Sequence, residues 1–387
     1  MRKTGVSEVS KQENCKIITI NPGSTSTKVA YFEGDEMVFS KTIEHDASEL
    51  AQFENVTDQY DYRKEAIARA LCEANVPIDD VRLFAARVGG LFGCVGGVYE
   101  ITPDGILLEH SVKGTGLGTQ HPNQLGAPIA SAFAVANGGR AFAVNPPDVD
   151  EFIDIARITG IPGIYRESRI HALNQKENAI RYAKSIGRRY EDLDLVVCHI
   201  GGGVSVTAHC KGKMVDSNDI IGGDGPMAPT RSGAIPAKSM IGLCFSEELS
   251  RKEIRALLNK QGGFVAHLGT ADAREIRKMI DGGDEYAKLV YDAFIYQIAK
   301  YAASCFAPLG GHADAIILTG GIANDEYLVE KIREYLGDMA PIVVQPGEFE
   351  HEALCAGVLR VLEGEEELQI YTGVPVFTEF ERTAHMS

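Results

Sequence analysis

The sequence lacks the features of several common functional classes. Its 387 residues include 38 Lys and Arg against 54 Asp and Glu, a formal charge of −16, and basic residues never cluster beyond short pairs such as Arg188-Arg189. This charge argues against nucleic-acid and anionic-membrane binding, because either needs a basic patch. No apolar run approaches the roughly 18 residues that a membrane-spanning helix requires.

Metal-ligand and redox cysteine motifs are also missing. The eight cysteines are scattered and form no CxxC spacing, and most lie in apolar stretches, where buried free thiols are the usual state. Residues 1–14 are polar and charged, without the apolar segment of a secretory signal. These absences predict a soluble protein of the reduced cytoplasm.

A Walker A motif is absent too, although glycine is abundant at 41 residues. In the segment NPGSTSTK, which contains Asn21, Gly23, Ser24 and Lys28, small residues allow backbone N–H groups to approach a phosphate, and hydroxyl groups add donors. Alone, such a segment is more often an ordinary turn. The related segment 201–205 and a third glycine turn at 320–321 favour phosphate binding.

An internal duplication organises the chain. Residues 18–34 (ITINPGSTSTKVAYFEG) and 198–212 (CHIGGGVSVTAHCKG) each follow the order strand, Gly/Ser loop, strand, glycine turn and third strand. The copies lie about half the chain apart. Chance similarity of two β-meanders is the alternative interpretation. The duplication predicts two related α/β domains around one cleft, each offering a glycine hairpin to the ligand.

Seven motifs along residues 16–362 resemble those of the butyrate kinases. In chain order they are INPGSTSTK (20–28), RVGG (87–90), HPN (121–123), HALNQK (171–176), CHIGGGVS (198–205), GDGPMAPTRSG (223–233) and LTGGIA (318–323). That family is grouped with acetate kinase in the actin/hexokinase/Hsp70-like superfamily. The resemblance implies a duplicated RNase H-like (actin-like ATPase) α/β fold and reversible, ATP-dependent phosphorylation of a short-chain carboxylate to an acyl phosphate.

The resemblance also implies a domain plan. The N-terminal RNase H-like domain would cover residues 1–165 and be joined by a late helix at 350–363. The nucleotide-binding domain would cover residues 166–349, and residues 364–387 would form an acidic, irregular tail. Relatives form dimers or larger assemblies, so a homodimer or higher homo-oligomer is expected.

Two arginines and two histidines match the family's catalytic positions. Guanidinium groups suit both carboxylate and phosphoryl oxygens, so Arg87 and Arg231 are candidates to stabilise the charge that develops during transfer. Outside the motifs, each could equally be a surface ion pair. His171 matches a position beside the transferred phosphoryl group, and His121 matches a second active-site histidine.

The nucleotide site is implied at two glycine turns. Gly201, Gly202 and Gly203 would lie beside the phosphates, with His199 positioning phosphate or simply satisfied in the core. The adenine and ribose would lie at the turn formed by Gly320, Gly321, Ile322 and Asn324. Asp272 matches a ribose-binding stretch, although helix N-capping explains it equally well.

The resemblance implies Mg²⁺ held by Asn21 and Glu352, with Glu350 as a second candidate. The family commonly has Val-Asp-Pro after the strand at 141–144, where this chain has Asn145. An amide can accept from a metal-bound water but carries no charge. Asp148 or Asp150 would compensate if the loop were displaced.

Two alternatives remain open from the sequence. The same chemistry could serve another acid, such as propionate or a branched or aromatic acid. The chain could also be an ATP-binding sensor or chaperone-like protein in which Asn145 weakens catalysis.

Overall fold

The computed structural model describes residues 15–115 and 121–381, so the expectations for residues 1–14 and for the end of the tail lie outside the described residues. The chain divides into two compact units. Of the described residues, the first unit contains those from 15 to 148 together with Phe349–Pro375, and the second contains Val149–Glu348 and residues 376–381. The boundary lies earlier than the residue 165 expected from the sequence, since residues 149–165 belong to the second unit.

Runs of strands and runs of helices follow one another along the described chain. The strands are β1 (Lys16–Pro22), β2 (Ser26–Glu33), β3 (Glu36–Glu44), β4 (Leu83–Ala86), β5 (Val98–Ile101), β6 (Arg140–Val144), β7 (Asp194–Ile200), β8 (Val204–Cys210), β9 (Lys213–Ser217), β10 (Ala315–Gly320), β11 (Ile342–Pro346) and β12 (Leu368–Gln369). The helices are α1 (Ala47–Leu50), α2 (Tyr60–Glu73), α3 (Ile106–Lys113), α4 (Gly126–Ala136), α5 (Asp154–Arg157), α6 (Ala172–Ser185), α7 (Ala237–Cys244), α8 (Arg251–Asn259), α9 (Gly263–Leu268), α10 (Ala273–Asp281), α11 (Glu285–Ser304), α12 (Glu326–Leu336) and α13 (Glu350–Glu363). Among the described residues, no helix is long and apolar enough to cross a membrane.

The first unit contains a seven-stranded sheet in the order β12-β5-β6-β4-β1-β2-β3. β1, β2 and β3 form an antiparallel meander, and β4 and β6 continue the sheet parallel to β1. Ile17, Ile18 and Ile20 of β1 are completely buried, because a central strand covered on both faces needs a continuous apolar run. β3 forms the edge, and its side chains alternate in exposure.

Helices cover both faces of this sheet. α4 packs against β4 and β6, and α2 against β2 and β3, with Ile67, Ile129 and Phe84 in one apolar core. α13 packs against β1 and β6, so the late helix lies in the first unit. A side chain at Gly357 would overlap Val144, so glycine allows α13 to approach the sheet closely.

The second unit repeats the core of this arrangement in the order β11-β10-β7-β8-β9. β7, β8 and β9 form the second meander, and β10 and β11 run parallel to β7. α11 supplies Phe294 and Ile298 to the apolar core on one face, and α6 supplies Ala179 and Ala183 to the other. Both sheets thus place three meander strands beside two parallel strands, the duplication predicted from the two glycine hairpins.

The residues after α13 are more ordered than the irregular tail expected from the sequence. β12 pairs with β5 in the first sheet, and Tyr371 is buried in the apolar core of that unit. Further on, Phe377 and Phe380 contact the ring of Tyr165 within the second unit. Aromatic side chains thus anchor a segment whose acidic start suggested an appendage.

Candidate active site

Candidate residues of the first unit gather at one edge of its sheet. Asn21 lies near the end of β1, Arg87 follows β4 and Asn145 follows β6. These three strands are parallel neighbours, so their carboxyl ends lie side by side. In open α/β sheets ligands bind at this edge.

A buried arginine holds the first glycine hairpin. Arg63 of α2 has no exposed surface, and its Nη1 donates to the carbonyl oxygens of Gly23 at 2.9 Å and Ser26 at 3.1 Å and to Thr27 Oγ1 at 2.8 Å. Burial lowers the pKa of Arg63 to about 10, so the group stays cationic at neutral pH. A fixed positive charge therefore lies against the loop that is the candidate for phosphate binding.

Sequence reasoning missed Arg63, although the sequence contains a signal for it. The buried positions of α2 are Arg63, Ile67, Ala70 and Leu71, which recur at helical spacing. A charged residue on an otherwise apolar helix face is rarely buried without specific partners. The position of Arg63 on the apolar face of α2 therefore indicates a structural role.

Glu350, at the start of α13, joins three candidate residues into one cluster. Its carboxylate accepts hydrogen bonds from Asn21 Nδ2 and Arg87 Nη1 and lies 3.9 Å from Lys28 Nζ. The neighbouring His351 shares a 2.7 Å hydrogen bond with Thr19 Oγ1 of β1. Glu350 therefore makes the contact with Asn21 that was expected of Glu352.

The donor set of this cluster fits Mg²⁺ bound together with a phosphate. Among the described residues, no group of three or more His, Cys, Asp or Glu side chains could hold a metal ion alone. In phosphoryl-transfer sites Mg²⁺ is held by one or two carboxylates, phosphate oxygens and water. Glu350 supplies the carboxylate, and Asn21, which donates through Nδ2, has Oδ1 as an acceptor for a metal-bound water.

His121 caps the short turn at Pro122–Leu125, and this contact determines which ring nitrogen carries the proton. Its Nδ1 accepts from the backbone N–H of Asn123 at 3.2 Å. Although the residue keeps contact with solvent, desolvation of the ring and the charges of Arg87 and Arg63 lower the pKa of His121 to about 4. The neutral ring therefore carries its proton at Nε2, as a hydrogen-bond donor.

Asn145 has a backbone role that its sequence position does not reveal. Its φ is +40°, and its Oδ1 accepts from Gly97 N at 2.8 Å while its own N–H donates to Gly97 O at 2.9 Å. Asp150, one of the two carboxylates predicted to compensate, forms a two-pronged ion pair with Arg157, both distances being 2.7 Å. Asp148 is buried in the first unit.

The second unit gathers its candidates at the corresponding edge. His199 lies near the end of β7, Gly320 ends β10, and Glu348 follows β11, and these strands are parallel neighbours. Gly320 has φ +87°, and a Cβ there would overlap the backbone of Ile200. Glycine is required at this position because β7 and the turn after β10 approach each other closely.

Arg231 lies against the second glycine loop. Its Nη1 atom is buried and has no hydrogen-bond partner among the described residues, and a Cβ on Gly203 would overlap that atom. Burial lowers the pKa of Arg231, and the charge of Asp219 opposes this shift. A buried guanidinium nitrogen without a partner is costly, and the position of this one against Gly203 makes it available to an anion at the glycine loop.

Two predicted histidines stack on each other beside this loop. The rings of His171 and His199 have centroids 3.9 Å apart and planes 20° from parallel. His171 Nδ1 lies 2.8 Å from Ser205 Oγ, and His199 Nδ1 lies 2.9 Å from Asn174 Oδ1. A Cβ on Gly203 would lie 3.3 Å from His171 Cε1. His199 is therefore buried and hydrogen-bonded, and it also forms part of this histidine pair.

The remaining nucleotide candidates form two separate features. Gly321 and Ile322 open a single 3₁₀ turn, in which Asn324 Nδ2 donates to Gly321 O at 2.9 Å. Asp272 is the N-cap of α10, and its hydrogen bonds with Arg274 lower its pKa to about 2. Helix N-capping therefore accounts for the contacts of Asp272 without a ribose.

Comparisons with known proteins agree with this arrangement. The profile of the Acetokinase family matches residues 166–340. The chain is 43% identical to butyrate kinase 2 of Clostridium acetobutylicum over 358 residues, which span 92% of this chain and 99% of that protein. It is also 43% identical over 356 residues to a protein named as a probable butyrate kinase from Phocaeicola vulgatus, with the same coverage.

A solved structure with the same architecture supports the fold. The crystal structure of Porphyromonas gingivalis acetate kinase superposes with a TM-score of 0.71 at 20% identity, covering 90% of this chain and 99% of that one. At this identity the likeness concerns the fold, and it confirms the duplicated α/β class expected from the sequence.

Proposed function

The chain belongs to the acetokinase family, and from this premise we propose that it phosphorylates a short-chain carboxylic acid, butyrate or a branched relative, with ATP as the donor. The products are an acyl phosphate and ADP, and the reaction is reversible. The relatives of similar length that carry the name butyrate kinase support this choice of acid.

The single observation that carries the proposal is the state of Arg231. Its buried Nη1 has no partner among the described residues and lies against Gly203. A guanidinium group kept in this state is poised for an oxyanion, and phosphoryl transfer depends mainly on donors that are in place before charge develops. We assign Arg231 to the transferring phosphoryl group.

The other groups of the second unit suit the nucleotide. Gly202 is the exposed residue of the glycine loop and can offer its backbone N–H group to a phosphate oxygen, whereas Gly201 N donates to Gly203 O at 3.1 Å and closes the turn. His171 adds a ring beside this loop. We assign the turn at 320–324 to the adenosine part of ATP. His199 positions His171 by stacking on it, as the 3.9 Å ring separation supports.

The groups of the first unit suit the acid and the metal. A carboxylic acid is already ionised at neutral pH, so the acceptor needs no general base, and Arg87 and the Nε2–H group of His121 can orient it. Glu350 and Asn21 would hold Mg²⁺ through its water and phosphate ligands. When bound, Mg²⁺ neutralises part of the phosphate charge that opposes attack by a second anion.

The test is hydroxylamine trapping of the acyl phosphate. The purified protein is incubated with ATP, Mg²⁺ and either a straight or branched acid from acetate to hexanoate or an aromatic acid, and the hydroxamate is measured. Arg231→Lys should lower kcat by about a hundredfold, because a point charge replaces a planar donor. Arg251→Lys, the same change at an exposed position of α8, should leave it unchanged.

Two results would contradict the proposal. Absence of acid-dependent hydroxamate with every acid would exclude carboxylate kinase activity. A higher kcat/KM for propionate or an aromatic acid than for butyrate would keep the chemistry and replace the acid. A sensor without turnover is not favoured, because Arg87, His121, His171 and Arg231 are all present.

Compartment and assembly belong to the same proposal. We place the protein in the reducing cytoplasm because all eight cysteines are free thiols. We also propose a homodimer or higher homo-oligomer, supported by exposed apolar side chains in the second unit, including Ile155 and Phe245, each 81% exposed. Light scattering of the purified protein gives the mass, and a monomer would contradict the assembly.

A further inference from the structure

A chain of buried polar side chains continues from His171 into the second unit. His171 Nδ1 lies 2.8 Å from Ser205 Oγ, which lies 2.7 Å from Gln175 Nε2. Gln175 Oε1 lies 3.1 Å from His209 Nε2, and His209 Nδ1 lies 2.7 Å from the hydroxyl of Tyr190. Ser205, Gln175 and His209 have no exposed surface. We call these four residues behind His171 the relay.

The orientation of the Gln175 amide fixes the direction of the relay. Its Nε2 also lies 3.0 Å from the backbone carbonyl oxygen of Ser205. A carbonyl oxygen can only accept, so this atom of Gln175 must be the amide nitrogen. Gln175 Oε1 is then the acceptor, and His209 Nε2 must donate to it.

The far end of the relay agrees with this direction. Burial, together with the charge of Lys176, lowers the pKa of His209 well below its usual value, so the ring is neutral and its single proton lies on Nε2. Nδ1 therefore accepts from the hydroxyl of Tyr190. Burial raises the pKa of Tyr190 well above its usual value, so this hydroxyl keeps its proton.

Ser205, at the near end of the relay, bears on the tautomer of the His171 ring. Ser205 Oγ accepts from Gln175, so the hydroxyl proton of Ser205 is available for His171 Nδ1. We propose that the relay is a positioning device that holds His171 as the tautomer with its proton on Nε2. The imidazole then presents a fixed N–H donor, and the role of this donor toward a phosphoryl oxygen rests on the proposed function.

The stacked neighbour His199 is held in the opposite way. Asn174 Nδ2 donates to the backbone oxygens of Gly347 at 3.3 Å and Glu348 at 2.9 Å, so Asn174 Oδ1 is an acceptor. His199 Nδ1 must therefore donate to it, and Thr319 Oγ1 donates to the same oxygen at 3.3 Å. Two rings in face-to-face contact thus carry protons on different nitrogens.

This arrangement suits the chemistry of the acceptor. An ionised carboxylate has no proton to give up, so a basic His171 Nε2 would have nothing to abstract and would repel a phosphoryl oxygen. A proton fixed on Nε2 removes this repulsion and makes the ring a donor before substrate binds. Ser205 and Gln175 act through His171 and are positioning residues.

The tautomers can be read directly in the ligand-free protein. Long-range ¹H–¹⁵N correlation spectra of ¹⁵N-histidine-labelled protein at pH 7, assigned with His171→Gln and His199→Gln variants, report which ring nitrogen is protonated. We expect the His171 proton on Nε2 and a His199 proton on Nδ1. A His171 ring protonated at Nδ1, or at both nitrogens, would overturn the proposal.

Ser205→Ala tests whether the relay causes this preference. It should mix the His171 tautomers and lower kcat by about tenfold with little change in KM for ATP. Ser217→Ala makes the same change at a buried serine that forms hydrogen bonds with Thr207 and the Val206 carbonyl. This control should change neither the His171 tautomers nor kcat. An unchanged His171 spectrum in Ser205→Ala would contradict the relay.

The two hypotheses fail separately in these experiments. If Ser205→Ala does not fold, the wild-type spectrum alone decides the tautomer. If the protein forms no acyl phosphate but shows the expected tautomers, the proposed function fails and the relay stands. If it forms acyl phosphate with His171 protonated on Nδ1, the relay fails and the function stands.

Discussion

Arg231 occupies the space that a side chain at residue 203 would need, since a Cβ on Gly203 would overlap the buried Nη1 atom of its guanidinium. Residue 203 is therefore glycine because any larger side chain would displace an arginine 28 residues later in the chain. The backbone does not demand it, because the φ of Gly203 is not positive. The side-chain volume at residue 203 therefore determines where the Arg231 guanidinium can lie.

Gly203→Ala should displace Arg231 without unfolding the protein. Because a shift of about 1 Å in a transition-state donor can lower the rate by about a hundredfold, we expect a loss of that size in kcat. Thermal unfolding and the hydroxamate assay measure the two effects. Gly242→Ala, where α7 leaves open space around the Cα, is the control, and an equal activity loss there would contradict the assignment.

Arg63→Met should destabilise the protein, because it removes the buried group that binds Gly23, Ser26 and Thr27. Loss of several charge-assisted hydrogen bonds from buried carbonyl groups should lower the free energy of unfolding by about 2–4 kcal/mol. Urea unfolding measures it. Arg69→Met, at an exposed position of the same helix, should stay within about 0.5 kcal/mol of wild type, and a similar loss in both variants would refute the role of Arg63.

Glu350→Gln should impair Mg²⁺-dependent activity far more than Glu352→Gln. The Glu350 carboxylate accepts hydrogen bonds from Asn21 and Arg87. We expect the Mg²⁺ concentration for half-maximal activity to rise by about tenfold or more in Glu350→Gln, because one carboxylate is a large part of a Mg²⁺ site. Activity titrations with MgCl₂ measure this concentration in both variants. A larger increase in Glu352→Gln than in Glu350→Gln would indicate that Glu352 is the carboxylate that holds Mg²⁺.

These two carboxylates show where sequence reasoning stops. Residues two apart on an α-helix point about 200° apart, so only one can face the sheet edge, and the choice depends on where α13 begins. The glycine hairpins were predictable, because their signal is contained in a few consecutive residues. The relay was not, since Gln175, Ser205 and His209 come from two elements whose register the sequence does not specify.

Arg63 and Asn145 illustrate a second limit on what can be predicted from the sequence. In the sequence Asn145 stands out only as a replacement for a charged metal partner, whereas in the structure its side-chain Oδ1 accepts a hydrogen bond from Gly97 N. The helical spacing of α2 marks Arg63 as a buried position, but the backbone oxygens that it binds cannot be identified from the sequence. Motifs therefore identify the residues that face a ligand more readily than those that hold the backbone beneath them.

Stability should fall below neutral pH because of buried histidines such as His45. Burial, with the nearby charge of Arg63, lowers the pKa of His45 from 6.5 to about 4. Between these values the unfolded chain binds the proton and the folded protein does not, so stability is lost as pH falls through this window. Removing this titration in His45→Gln should reduce the wild-type loss between pH 7 and 5 by about 2 kcal/mol. Urea unfolding at the two pH values measures it, and parallel profiles would contradict the assignment.

Asn145 should tolerate aspartate and not alanine. Alanine removes the Oδ1 atom that accepts from buried Gly97 N, and it leaves an L-residue without a local hydrogen bond at φ +40°. These two effects together should lower the free energy of unfolding by about 2–4 kcal/mol. Aspartate keeps the acceptor, so Asn145→Asp should retain most of the stability in urea. If Asn145→Ala is instead as stable as wild type while only its turnover falls, residue 145 acts on the substrates and the backbone role assigned to it is wrong.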